Sequence, residues 1–384
     1  MFSHSAPATV DAVVVGAGLV GACCGYELAA RGVSVLLVDR GAVCSGGSGA
    51  GAGDIAVGYR PGPLATLAGH SRQLWGGLAD RLAADLGYRP DLRFADTGAV
   101  AVARDAAAAK ALRALATDQR RAGVAAERLT RAELAELGGD ATAAVRYPRH
   151  ATVGPVPAAL AVLSAAVERG AVVVPSAPVT AVERTDTGLR VDTAAGAVST
   201  GTLVLAAGAW SAALAELLGV RLPVRARRRH LLVTEPLPAP LPHAVYQVDA
   251  TGPSPLALTP TASGAVALGG AGTDTGPDDP APIGALRRLA AEAVRVVPSL
   301  AARSAVRALA AAYPETPDQL PIIGADPDLT GLWYATGHGT DGVGLAPATG
   351  QLLAELVTGA APSLDPTPYA PGRPTLATEQ EAAE

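Results

Sequence analysis

Cysteine is scarce. The three thiols in 384 residues, Cys23, Cys24 and Cys44, are too few for a disulfide framework and have no metal-ligand spacing. They read as reduced, packed thiols, and no metal is expected. Charged residues make up only 17% of the chain and hydrophobic ones 49%. Even so, no apolar run of about 20 residues occurs, because Gly, Arg or Asp interrupts every candidate. A transmembrane helix is therefore not expected. A basic excess is missing as well: the net charge is −5, which leaves no electrostatic footprint for nucleic acid. Lys110 is the only lysine, against an Ala- and Arg-rich background that reflects coding bias. The opening MFSHSAPATVD has no basic flank, and the apolar run after it belongs to a strand rather than a signal peptide. The expectation is a cytoplasmic protein. No nucleophilic triad stands out.

What is present begins with Val10–Arg40, VDAVVVGAGLVGACCGYELAARGVSVLLVDR. A Val run ends in Gly16, Gly18 and Gly21, a stretch of helical spacing follows, and a second β-branched run closes on Asp39. This is the pattern of a dinucleotide-binding strand, turn and helix. Gly16 lets the strand turn, Gly18 lets backbone N–H groups approach a pyrophosphate, and Gly21 lets the helix pack on the strand. The helix N-terminus presents its positive end to the phosphates. Asp39 can accept from both ribose hydroxyls and would repel a 2′-phosphate, so NADP is disfavoured.

A second glycine-rich stretch, Arg40–Tyr59, is too long for an ordinary turn. It reads either as backbone lying flat against a planar ring or as a surface loop. Apolar spacing predicts a helix over Pro63–Leu86 and two helices within 105–137, and alternation predicts a strand over Phe94–Val102. Pro155 and Pro157 open a further helix, with strands expected at Ala171–Val174, Val179–Arg184 and Gly188–Val191. Thr202–Gly219 reads as a buried strand running into Ala206, Ala207 and Gly208, small enough for close approach to a second part of the dinucleotide, and then a helix. Val224–Pro236 is a strand that carries Arg225, Arg227, Arg228 and Arg229, a basic cluster that also reads as simply exposed. Strands at Leu256–Thr259 and Ala265–Gly269 and a helix at Ile283–Val297 follow. The polar stretch after Pro366 reads as a loose tail.

Three further motifs carry a resemblance: AAGAWS at Ala206–Ser211, TPDQLPIIG at Thr316–Gly324, and ATGHGTDGVGLAPATGQLLAELVTG at Ala335–Gly359. With the N-terminal fingerprint, the chain resembles over nearly its whole length the D-amino-acid oxidase superfamily of FAD-dependent oxidoreductases, in the branch of glycine oxidases, sarcosine oxidases and related amine dehydrogenases. The resemblance implies an α/β FAD-binding Rossmann-type domain, assembled from residues 1–85, 150–222 and 325–368. It is interleaved with an α+β substrate domain, residues 86–149 and 223–324, whose mainly antiparallel sheet roofs the flavin. Residues 369–384 remain as tail. The implied FAD contacts are Gly16, Gly18, Gly21, Asp39, Arg40, Ser45, Ser48, Gly51, Gly53, Val179, Ala207, Gly208, Gly337, His338, Gly339, Gly342, Val343 and Gly344. Gly342 and Gly344 open a helix whose N-terminus, aimed at the flavin, would stabilise the reduced ring by about 0.3 to 2 kcal/mol.

The chain departs from the family pattern at several positions. The cysteine that links flavin covalently in many sarcosine oxidases is matched by Ala311, so FAD is expected to be non-covalent. The lysine that helps oxygen react in monomeric sarcosine oxidases is missing from Gly264–Gly269, which leaves oxygen or another electron acceptor open. The two arginines that grip the substrate carboxylate in glycine oxidases are matched by Tyr313 and Thr340. Arg60 and Arg229 are the alternative cations. YPETPD at Tyr313–Asp318 looks more like the secondary-amine dehydrogenases. Arg227–Pro236 is similar to subunits of opine-oxidising and cyanide-forming glycine dehydrogenases, which implies a possible oligomer or partner subunit. Tyr313, Tyr246 and His338 are candidates for contact with substrate or flavin, each with the alternative of a packed ring whose polar atoms are satisfied. The expected reaction is hydride transfer from the C–N carbon of an amino acid or N-substituted glycine to FAD, then hydrolysis of the imine. The alternative is a flavoprotein partner subunit without its own turnover.

Overall fold

The structure, a computed structural model, describes residues 2–137, 139–250, 252–270 and 282–377. The strand Thr9–Val15 lies in the middle of a sheet of eight strands, parallel to Val35–Val38 on one side and to Gly196–Leu205 on the other. Its inner residues do not alternate between buried and exposed: Ala12, Val13 and Val14 are all fully buried, as a parallel strand covered on both faces requires. Helices Leu19–Ala29, Pro63–Leu86, Pro155–Glu168 and Gly342–Val357 contribute the core on one face. The long strand Gly196–Leu205 also pairs with the hairpin Val179–Thr185 and Gly188–Thr193, which supplies Val182, Leu189 and Val191 to the core on the other face.

A second sheet of eight strands is antiparallel except where Ala244–Asp249 runs parallel to Ala99–Ala103. Its period-2 alternation separates two kinds of surface. One face presents Leu232, Leu268, Leu258, Val245 and Val100 to a core shared with the helix Ile283–Val296. The other turns toward the first sheet. No helix among the described residues is long and apolar enough to cross a membrane.

Two sequence expectations change. The strand expected at Phe94–Val102 is reduced to one isolated bridge at Ala95 and a strand that starts only at Ala99, because Gly98 between them takes φ +64°, a left-handed conformation that breaks the ladder. The tail is not loose as far as Ala377. The Tyr369 hydroxyl donates to Pro63 O at 2.7 Å, Leu376 is buried, and Arg373 grips Asp318 through two bonds of 2.7 and 2.9 Å. A polar composition concealed a buried bidentate ion pair. Residues 378–384 lie outside the described residues.

Candidate active site

Between the two sheets lies a cleft of about 1010 Å³. It opens at the carboxyl ends of the parallel strands, where an open α/β sheet takes its ligands. The strand Thr9–Val15 ends at Gly16, whose φ of +115° and position leave no room for a side chain: a Cβ would stand 2.4 Å from Ala206 O. At Gly21 a Cβ would stand 1.9 Å from Gly16 O, so this glycine serves the packing of helix on strand and lies outside the cleft lining. Asp39 directly follows the next strand, Val35–Val38. Its carboxylate accepts from Ala17 N at 2.7 Å and Gly41 N at 2.8 Å, and the remaining lone pairs leave it capacity as an acceptor. Arg40 stacks on Trp210, 3.7 Å from the ring centre, joining this strand end to the AAGAWS segment.

The second glycine-rich stretch lines the cleft through Ser45–Asp54 instead of standing off as a surface loop. Ser48 Oγ accepts from Leu19 N at 3.0 Å, which ties the stretch to the first turn of the helix Leu19–Ala29. Val179, Ala207 and Gly208 also line the cleft, as do His338, Gly339, Thr340, Gly342 and Val343 on the C-terminal motif. Gly337 and Gly344 do not. A Cβ on Gly337 would meet Thr316 Cγ2 at 2.5 Å, and Gly344 gives its carbonyl to Ser71 Oγ at 2.6 Å and Trp75 Nε1 at 3.1 Å. His338 is buried, bonded through Nε2 to Thr349 Oγ1 at 2.9 Å, and burial pushes its pKa down to about 3, so the imidazole is neutral.

The antiparallel sheet forms the roof. Register aligns Leu309, Leu231, Gly269, Ala257, Tyr246 and Ala101 in one row across five neighbouring pairings, all facing the cleft. The middle of that row holds a glycine and an alanine, Gly269 and Ala257, which leaves apolar room between Leu231 and Tyr246. Arg229 reaches the cleft two residues before Leu231. Its Nη2 donates to Glu315 at 2.6 Å, while its Nε is buried without a hydrogen-bond partner. Tyr313 donates to Ala50 O at 3.3 Å, and burial pushes its pKa up to about 12. Thr340 is exposed at the cleft. Arg60 is exposed and outside the lining, so it is not positioned as a carboxylate partner.

Sequence reading missed the polar network beneath the roof. Tyr246 donates to Asp54 at 2.8 Å, Thr259 donates to the same carboxylate at 2.8 Å, and His150 Nε2 lies 3.4 Å from it. Tyr59 donates to Asp341 at 2.7 Å. Asp54 follows Gly53 directly, and Asp341 stands inside the C-terminal motif, so both sat beside residues already singled out. His150 and Thr259 carried no local signal. Asp341 occupies the N-cap position of the helix Gly342–Val357 without making a side-chain cap, although such a cap ordinarily contributes about 0.5 to 2 kcal/mol.

The family of FAD-dependent oxidoreductases (DAO) matches residues 11–356 of the chain. The chain belongs to this family. Glycine oxidase of Pseudomonas putida is 32% identical over 370 residues, covering 94% of this chain and 97% of that protein. The crystal structure of glycine oxidase from Geobacillus kaustophilus superimposes with a TM-score of 0.89 at 28% identity, over 96% of this chain and 99% of that one. A hydrogen cyanide synthase subunit, HcnC of Pseudomonas aeruginosa, is 32% identical over 251 residues, 64% of this chain and 58% of that protein. FAD is the cofactor that membership implies, and the cleft fits it. A backbone cradle too tight for side chains lies at Gly16, an acidic acceptor stands at the second strand end, and the cleft is large enough for an extended ligand.

Proposed function

We propose that this FAD-dependent oxidoreductase oxidises the C–N bond of an amino acid or N-substituted glycine to an imine, which water then hydrolyses, and that it prefers substrates larger than glycine. The observation that carries this reading is the roof row. There Gly269 and Ala257 leave apolar space beside Arg229, the one cleft-facing arginine among the described residues with a buried, unpartnered Nε. Bound FAD supplies the two-electron acceptor. The protein's own residues bind, orient and keep water out. Arg229 offers charge to a carboxylate, Tyr313 stays a phenol whose O–H goes to Ala50 O and whose oxygen is open as an acceptor, and the roof shields the reacting carbon.

Glycine has only its carboxylate and amine for orientation, so a small-substrate enzyme needs a bidentate arginine fork. Here one arm of Arg229 is held by Glu315, and Tyr313 and Thr340 are neutral. A larger substrate recovers orientation by burying its extension under the row. The test is anaerobic stopped-flow reduction of the flavin by glycine and by a panel of N-alkyl glycines, N-carboxyalkyl amines and larger amino acids. The expected ratio of rate to dissociation constant is about tenfold or more in favour of the best larger substrate, roughly one hydrogen bond to a charged group. A ratio for glycine equal to or above the whole panel sinks the preference. Tyr313→Arg supplies the reciprocal arm, with a gain toward glycine expected.

A second reading is a flavoprotein subunit that depends on a partner. It is favoured by the similarity to a hydrogen cyanide synthase subunit. A yellow protein that no amine bleaches on its own would support it.

A further inference from the structure

The cleft holds two carboxylates in different situations. Asp54 is engaged from the roof by the hydroxyls of Tyr246 and Thr259, with His150 beside it. The Asp341 carboxylate has one partner only: Oδ1 accepts from Tyr59 at 2.7 Å, and Oδ2 accepts no hydrogen bond among the described residues. The Asp341 side chain also makes no bond to the helix it precedes. An aspartate at that position ordinarily serves the second or third helical amide, so its carboxylate is free for something else in the cleft. Arg229 lines the same cleft from the roof, with its Nε unsatisfied.

We propose that Asp341, positioned by Tyr59, takes the proton from the substrate's ammonium nitrogen while Arg229 meets the substrate carboxylate. This assignment rests on the reading of the chain as an amino-acid or amine oxidoreductase and names the residue that prepares the nitrogen. Near neutral pH an amino acid arrives mainly as its ammonium form, which has no lone pair to stabilise the carbon as its hydride departs. In the step assigned to Asp341, an N–H bond breaks, its electron pair stays on nitrogen, and the proton goes to Oδ2. A neutral amine is left beside a neutral carboxylic acid. The nitrogen pair then forms the C=N bond as two electrons leave with the α-hydrogen to the acceptor, and the carboxylic acid returns its proton to solvent.

The groups around Asp341 suit this role. Burial raises its pKa to about 6, with Asp54 acting in the same direction and the Tyr59 hydrogen bond and Arg229 acting against it. A base near the working pH is the efficient kind. His338, in the same turn, is held neutral by burial, and burial also keeps Tyr59 and Tyr246 protonated. None of these three changes charge between about pH 5 and 9, given ordinary values near 6.5 for His and 10 for Tyr shifted away from that window.

The experiment uses the FAD-loaded wild type, Asp341→Asn and Tyr59→Phe, each checked for flavin content. Anaerobic flavin reduction by the best amino acid or amine is followed from pH 6 to 10, and binding of acetate is followed by perturbation of the flavin spectrum. Asp341→Asn is expected to lower the ratio of rate to dissociation constant by about 10²- to 10⁴-fold at pH 7. The deficit should shrink about tenfold per pH unit toward the amine's own pKa, where neutral amine arrives unaided. Acetate binding should be unchanged or tighter, since a negative charge has been removed. Tyr59→Phe should move the acidic limb upward by about one pH unit, because the carboxylate loses a stabilising donor. A deficit independent of pH, or no deficit, in Asp341→Asn overturns the assignment while the amine bleaching of the wild type leaves the oxidoreductase reading standing. A wild type that no amine bleaches overturns both.

Discussion

Asp39 shows how much one carboxylate can hold. With its oxygens bonded to Ala17 N and Gly41 N, it clamps the phosphate-facing turn to the start of the second glycine-rich stretch, and it still has lone pairs to offer a ribose. Asp39→Ala removes the clamp and the acceptor together. A charge-assisted hydrogen bond contributes about 1.5 to 3 kcal/mol, so the dissociation constant for FAD should rise about ten- to a hundredfold, while the fraction that stays loaded turns over at a near-normal rate. Ultrafiltration of the diluted variant measures this. Full retention of flavin on dilution would remove Asp39 from the binding site. Burial raises all three cysteine thiols, and none lines the cleft among the described residues, so they are inert packing groups, as their scarcity and spacing suggested.

At the scale of elements, the pair of helices Leu19–Ala29 and Gly342–Val357 brings both glycine motifs to one cleft. The two backbones touch: a Cβ on Gly350 would stand 2.6 Å from the Cys23 carbonyl carbon. Pro347 lies inside the second helix, and the Ser71 hydroxyl serves the turn around it, donating to Gly344 O at 2.6 Å and accepting from Ala348 N at 3.4 Å, which satisfies backbone groups that a helical proline disturbs. Gly350→Ala should therefore push the helices apart. Overpacking of this kind costs about 1 to 3 kcal/mol, and because both helix N-termini adjoin the cleft, flavin occupancy should fall along with the urea midpoint. An unchanged midpoint with full occupancy would show that the contact is slack.

At the scale of the molecule, the cleft exists only because the antiparallel sheet sits over the ends of the parallel one. The C-terminal segment helps to lock that arrangement, since Arg373 and Tyr369 tie it to Asp318 and to the start of the helix Pro63–Leu86. Ala311 stands in the roof and no cysteine faces the cleft among the described residues, so we expect FAD to be held by packing and hydrogen bonds alone. Acid precipitation should leave the yellow colour in the supernatant, and added FAD should raise the Tm of apoprotein, by about 2.7 kcal/mol of stability at a hundredfold excess over Kd. A yellow pellet would point to a covalent bond through another residue.

The sequence by itself determined the fingerprint at Gly16–Asp39, the spans of the main helices, the alternating strands and the C-terminal motif, because glycine sterics and apolar periodicity act over a few residues. The helix Pro63–Leu86 begins and ends where its apolar spacing does. Tertiary structure alone decided which face of the alternating strands roofs the cleft: Leu231 and Leu232 are both apolar, and only the pairing of sheets sends the first to the cleft and the second to the core. The same holds for the polar network. Asp54, His150, Tyr246 and Thr259 come from four distant segments; Tyr246 stands out by itself, but no local pattern joins residues whose hydrogen bonds close only when two sheets meet. Arg60 and Arg229 show the limit most simply. Both are arginines near suggestive motifs, and only packing puts one in the cleft and the other in solvent.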